Sequence, residues 1–283
     1  MSVNNHALEI ASGNRFEFGK NWESFLERLN EERINIAIEA LRKNLAVDGL
    51  CGKTFLDIGS GSGLSSLAAF RLGARVISFD YDPASVSCTA ELRKTYAAGE
   101  ESRWSVFRGS LLDDEFMSTL KQSDVVYSWG VIHHTGDMWS GLRNVVPLVK
   151  KNGQLFIAIY NDQGGQSRRW LVFKKIYNTL PSVLKLPYAI VIMGVRELRS
   201  LAIKTIRLSP ASYFKNIRNY ASTSDRGMSY WHDLIDWIGG YPFEVAKPEE
   251  IFSFYRAKGF VLDRLHTAGG ELGCNEYVFT RAE

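Results

Sequence analysis

The sequence predicts an α/β protein built on a doubly wound, mostly parallel sheet. Short apolar runs of strand character alternate with helix-patterned segments from Thr54 to Tyr160, the order that parallel sheets require. The first such strand, Thr54-Phe55-Leu56, leads through Asp57 into the glycine-rich run Gly59-Ser60-Gly61-Ser62-Gly63 and then into Leu64–Phe70, which has helix-forming spacing. A glycine turn between a parallel strand and a helix lets the backbone approach a ligand and aims helix N-terminal amides at it.

Its glycines read G-x-G-x-G. Leu64 occupies the position of the third glycine of the dinucleotide fingerprint, and no Gly-Lys-Ser/Thr follows. This weighs against a dehydrogenase and against a phosphate loop.

Before this strand, Met1–Asn14 is polar and reads as a frayed tail without a signal-peptide core. Arg15–Trp22 holds three aromatics, fit either to pack on the core or to form a flap over a cofactor. From Trp22 to Leu45 apolar residues recur at helical spacing. After the glycine turn, Arg75–Asp80 reads as a second strand. Asp80 lies 17 positions after Gly63, where a carboxylate in a βαβ unit accepts the hydroxyls of a ribose. Tyr81 could lie against an adenine, and Asp82 suits the N-cap of the helix that starts at Pro83. Trp104–Phe107, Asp124–Trp129 and Gln154–Tyr160 are strands three to five. Trp139–Val149 reads as a helix stopped by Lys150-Lys151-Asn152-Gly153.

The series LDIGSGSG, FDYD, RGSLLDD, YSWGVIHHTGDMW and VKKNGQLFIAIYN resembles the class I S-adenosylmethionine-dependent methyltransferases, strongly over Lys53–Asn161 and more loosely over Pro242–Thr280. The resemblance implies a seven-stranded Rossmann-like sheet whose last strand is antiparallel, with S-adenosylmethionine as cofactor; the scattered cysteines suit the cytoplasm. It implies that Asp57, Gly59, Ser60, Gly61 and Gly63 hold the methionine part and Asp80 the ribose. Tyr81 would pack on the adenine, Ser110 and Leu111 would run along its other edge, and Trp129 and Gly130 would line the sulfonium side. "FGKNW" is similar to an N-terminal segment that folds over the cofactor in relatives, which brings Trp22 to the site. His133 and His134 follow the fourth strand, where the resemblance puts the methyl group. Domain boundaries follow: an N-terminal helical cap (1–48), a cofactor-binding core (49–161), a basic helical lid insertion after strand five (162–241) and a C-terminal completion of the sheet (242–283).

The insertion is chemically lopsided. Arg168 to Arg218 holds eleven basic residues and one acidic, Glu197, a net +10 in a chain of net +3. Its apolar run Leu186–Val195 is too short to span a bilayer, which takes ~20 residues. A solvated lid, attraction to an anionic membrane or lipid-linked substrate, and RNA or another anionic substrate all suit such a segment. No RNA-binding motif is visible and nothing points to DNA. Past it, Asp225–Phe243 crowds aromatics, a histidine and carboxylates. Tyr230, Asp233 and Asp236, with Trp22, His133 and Tyr160, are candidates for acceptor binding.

An oxygen or nitrogen acceptor needs its proton removed, which suits histidine, and His134 and His232 are the candidate bases. The acceptor is expected to be a small molecule, a sugar or a lipid-linked compound. An RNA methyltransferase and a non-catalytic cofactor-binding module are the alternatives. Cys51, Cys88 and Cys274 are scattered, with no metal-ligand spacing and no disulfide framework, which suits a reducing compartment.

Overall fold

In a computed structural model, described for residues 5–27, 29–206, 211, 215, 230–269 and 273–282 (side chains at 20, 21, 23, 196, 200 and 230–233 aside), the chain forms a seven-stranded sheet flanked by helices. Three helices come first: α1 (His6–Ala11), α2 (Phe18–Leu26) and α3 (Glu31–Leu45). The core then runs β1 (Thr54–Ile58), α4 (Leu64–Arg71), β2 (Arg75–Asp80), α5 (Pro83–Tyr96), β3 (Trp104–Arg108), α6 (Asp114–Thr119), β4 (Ser123–Trp129), α7 (Met138–Val145) and β5 (Val149–Tyr160). The insertion supplies α8 (Gly165–Thr179), α9 (Ser182–Ile206) and α10 (Tyr230–Gly239). The chain returns through α11 (Pro248–Arg256), β6 (Phe260–His266) and β7 (Cys274–Arg281).

The strand order is β3-β2-β1-β4-β5-β7-β6. The pairs among β1 to β5 are parallel and β7 is antiparallel to both neighbours. Because side chains alternate across a strand, Leu56 enters one buried layer with Phe79, Leu142 and Tyr255, while its neighbour Phe55 enters the other with Phe25, Leu67 and Trp104. A third, smaller core is built from the insertion, Trp170, Tyr177, Met193, Leu234 and Ile238, with Phe243 just after it.

Two expectations are corrected. Lys150–Gly153 does not stop a helix. α7 ends at Val145, and these residues belong to β5. Val149 already pairs with Ser123, the register then shifts before Val125 pairs with Gln154, and Asn152 takes φ 59°. Lys150 holds the start of the strand by giving its ammonium to Asp124 at 2.8 Å. The N-terminal tail is also not frayed from residue 5 onward. His6 lies buried against Tyr81, edge to face with ring centroids 5.1 Å apart, with its Nε2 3.7 Å from an Asp82 oxygen. Tertiary contact, not local propensity, orders this short helix.

Candidate active site

The C-terminal ends of β1, β2 and β4 meet at one edge of the sheet, where open α/β folds bind ligands. There a cavity of about 1170 Å³ runs from the glycine loop to the underside of the insertion.

Ile58 ends β1, and the backbone then turns sharply. Gly59 and Ser60 both donate N–H to the carbonyl of Phe79, at 2.9 and 3.1 Å. Gly59 has φ 75°, and a Cβ there would lie 2.9 Å from the Cβ of Val131 and closer still to its γ carbons. Only glycine lets β1 and the loop after β4 approach this closely.

Asp57 is buried at the root of the loop. Ser66 donates to its Oδ2 at 2.5 Å, and Ser66 in turn contacts Ser78 at 2.6 Å. Trp104 Nε1 donates to Ser78 at 2.9 Å. Since the Ser66 proton serves Asp57, the order of donation is Trp104 to Ser78 to Ser66 to Asp57. Burial pushes the Asp57 carboxyl up to about 7, against the Ser66 hydrogen bond, which lowers it.

Asp80 stands beside it, at the end of β2. Its Oδ2 accepts Gly61 N–H and its Oδ1 accepts Asp82 N–H, both at 2.9 Å. Burial raises its carboxyl to about 6, against these amides. Each carboxylate oxygen still has a lone pair to accept a hydroxyl proton. Among the described residues no cation pairs with either Asp57 or Asp80. One buried and one half-buried carboxylate without a cation form a pocket suited to a ligand carrying hydroxyls and positive charge.

The N-terminal segment roofs this half. Gly19 N–H bonds Asp82 Oδ2 at 2.8 Å, while Asp82 Oδ1 caps α5 through Ala84 N–H. Asp82 is thus the expected N-cap. Trp22 lies against the loop: a Cβ on Gly61 would sit 3.1 Å from its indole. Arg15 spans the cleft. Its guanidinium lies 4.8 Å from the Tyr81 ring centroid and donates to the His134 carbonyl at 3.0 Å, while its Nε bonds Glu9 at 2.5 Å. Tyr81, the expected adenine partner, lines the cavity with one face given to Arg15 and its hydroxyl donated to Glu9 at 3.2 Å. Ser110 and Leu111 line the cavity too.

At the end of β4, Trp129 donates its indole N–H to Glu276 at 2.8 Å, and Gly130 takes φ 74°. Both line the cavity, as do His134, Tyr160 and Asp236. His133 is buried but is not among the lining residues. Its Nδ1 accepts Tyr160 N–H at 3.3 Å and its ring lies 3.9 Å from the Tyr160 ring. It therefore supports Tyr160 from behind. Burial drives the His134 imidazole down to about 3, with the Lys174 ammonium adding to this and the Pro242 carbonyl opposing it. A base that weak takes up no second proton at neutral pH. With its Nδ1–H engaged by Pro242 O at 2.6 Å, Nε2 remains as a hydrogen-bond acceptor.

The insertion walls the far end with Trp170, Phe173, Ile192, Leu234 and Trp237, and with Arg169 and Arg199. Behind Trp237 lies Lys174, fully buried. It donates to the Trp237 carbonyl and sits 4.5 Å from the Trp237 ring centroid and 4.8 Å from that of Phe243. Burial lowers its ammonium to about 7, with Asp236 drawing it back up. The basic periodicity of the insertion gave no sign of this burial. Nor was Arg15 assigned, although three aromatics around it marked the segment. His232, Tyr230 and Asp233 lie outside the described side chains. No group of ligands for a metal ion occurs among the described residues.

A family model described as "Methyltransferase domain" matches residues 56–155. The chain is 27% identical over 237 residues to the mitochondrial ubiquinone biosynthesis O-methyltransferase of Schizosaccharomyces pombe, covering 80% of this chain and 77% of that one. It is 30% identical over 141 residues to the ubiquinone biosynthesis O-methyltransferase of a Methylobacterium species, covering 48% of this chain and 54% of that one. The match thus spans about half the length of that bacterial relative. In fold it is similar to the magnesium protoporphyrin IX methyltransferase of Synechocystis PCC 6803, solved with bound SAH: TM-score 0.51 at 14% identity, over 89% of this chain and 88% of that one. Sheet order and loop geometry together define a Rossmann-like methyltransferase. Residues 56–155 form a methyltransferase domain, and S-adenosylmethionine is the cofactor of such a domain. The two carboxylates, Asp57 and Asp80, and the glycine cradle fit a ligand that carries a ribose, an ammonium and a sulfonium.

Proposed function

We propose that the chain methylates a hydroxyl oxygen of an apolar, ring-bearing acceptor. The observation that carries this reading is the continuity of the cavity: the glycine loop opens directly into an aromatic chamber formed by Tyr160, Trp170, Phe173 and Trp237. Such a chamber binds a ring and an apolar substituent and excludes water from the transfer. The O-methyltransferase names of the relatives point the same way.

When bound, the cofactor supplies an electrophilic methyl group on a good leaving group, so alignment provides much of the acceleration. Asp80 accepts the ribose hydroxyls, Asp57 and the loop hold the methionine end, and Arg15 and Trp22 close over it. In the chamber, His134 Nε2 accepts a hydrogen bond from the acceptor hydroxyl and fixes its direction. Asp236 is the carboxylate on the same wall that can take the proton. Lys174 and Asp236 attract each other, which favours the lysine's charged form.

The test uses the full chain with labelled S-adenosylmethionine and a 4-alkylcatechol as probe. Label in the organic phase, with a mass gain of one methylene on the probe, is the expected result. Cofactor binding measured by calorimetry without transfer to any hydroxyl probe, but with transfer to an amine, overturns O-methylation and leaves the cofactor assignment intact.

A further inference from the structure

We infer that the outward face of α8 and α9 docks on an anionic lipid surface, with the cavity mouth turned toward it. α9 presents three faces. Ala189 and Met193 are buried in the insertion core. Ile192, Arg199 and Ile203 line the cavity. Leu184, Val191, Val195, Leu198 and Ile206 follow one another at spacings of seven, four, three and eight residues, so they share a third face, and all five are exposed, Leu198 to 68%. A helix of a water-facing lid carries polar residues there. Val195 belongs to two faces, being both exposed and on the cavity wall, so the apolar stripe borders the cavity mouth.

The charge around the stripe selects the occupant. Arg168, Arg169 and Lys175 on α8 and Arg199 on α9 are exposed, beside exposed Val172, and Glu197 is the single acidic residue in the two helices. Apolar side chains flanked by cations match the boundary between anionic headgroups and acyl chains. A second copy of this chain would bring like charge against like charge. No helix among the described residues is long and apolar enough to cross a membrane, so the contact is peripheral. An apolar acceptor then reaches the chamber from the bilayer without passing through water.

Co-sedimentation of the full chain, without cofactor or acceptor, with phosphatidylglycerol-containing and pure phosphatidylcholine vesicles tests this independently of any methyl transfer. Binding should favour the anionic vesicles and fall at least about tenfold between roughly 0.05 M and 0.5 M salt, as the Debye length shortens. The double substitution Val191→Glu and Leu198→Glu, and separately Arg168→Glu with Lys175→Glu, should each reduce binding about tenfold or more. Unchanged calorimetric affinity for S-adenosylmethionine would show that both variants fold. Absence of binding by the unaltered chain, equal binding to both vesicle types, or equal binding by folded variants overturns the proposal. So does sedimentation velocity showing a dimer that the Val191 and Leu198 changes dissolve.

Discussion

His134 Nδ1 lies 2.6 Å from the carbonyl oxygen of Pro242, a bond that ties the loop after β4 to the segment leaving α10. It also fixes the tautomer, because the carbonyl can only accept. The imidazole is held neutral, with its pKa lowered to about 3 from 6.5. Below pH 6.5 the unfolded chain takes up a proton that the folded chain refuses, so this group removes stability as pH falls from about 6.5 toward 3. His134→Asn, which keeps a donor for Pro242, should flatten that part of the stability–pH curve measured by urea unfolding. His134→Ala should cost about 1–3 kcal/mol at pH 7 through the unsatisfied Pro242 carbonyl. An imidazole resonance of His134 titrating near pH 6.5 would refute the neutral assignment.

Asp57 and Asp80 work in the opposite sense. Their carboxyls are raised from 3.8 to about 7 and about 6, so the cofactor-free protein should gain stability as pH falls from about 7 toward 4. In the proposed binding mode both must be ionised, to accept hydroxyls and balance positive charge. Affinity for S-adenosylmethionine should therefore tighten from pH 5.5 to 7.5, with proton release. Calorimetry in buffers of different ionisation enthalpy measures this directly, and a pH-independent affinity would contradict it.

Asp80→Ala should weaken S-adenosylmethionine and S-adenosylhomocysteine equally, since both carry the ribose. Each hydrogen bond to a charged group contributes about 1.5–3 kcal/mol, so the loss should be at least about tenfold. Unchanged affinity would show that the ribose is held elsewhere.

Most of the geometry around the glycine loop was legible in the sequence because it is local. Strand, glycine turn and Asp80 lie within one βαβ unit, and the spacing that defines them is continuous in the chain. What was missed is held by distant partners. His6 is ordered by Asp82 and Tyr81, Arg15 by Glu9 and a carbonyl in the loop after β4. Lys174 reads as one more surface cation because periodicity reports a helix face, not what covers it. Lys150–Gly153 has the composition of a helix stop, yet the pairing of Val149 and Gln154 with β4 on either side of it holds it within β5.

Gly59→Ala tests the close approach to Val131. The added methyl meets the Val131 side chain at a positive φ, so both overpacking and backbone strain oppose it. A loss of about 1–3 kcal/mol is expected, with cofactor binding weakened. Val131→Ala in the same chain should restore part of both, since it removes the nearer γ carbons. Equal defects in single and double variants would place the cause elsewhere.

Arg15 crosses from Tyr81 to the His134 carbonyl, over the cleft. Arg15→Ala should speed cofactor dissociation in stopped-flow experiments by about tenfold or more, through loss of a charge-assisted hydrogen bond and a cation–π contact. Turnover at saturating cofactor should change much less. An unaltered dissociation rate would show that the segment does not retain the cofactor.

The insertion closes on a core of its own, separate from the two layers of the sheet. Mutational drift can therefore act on the two halves of the cavity unequally. A change at Phe173 or Ile192 reshapes the chamber while the strand ends beneath the glycine loop keep their packing. A lineage can thus exchange one acceptor for another through α8, α9 and α10 alone and inherit the cofactor half unaltered.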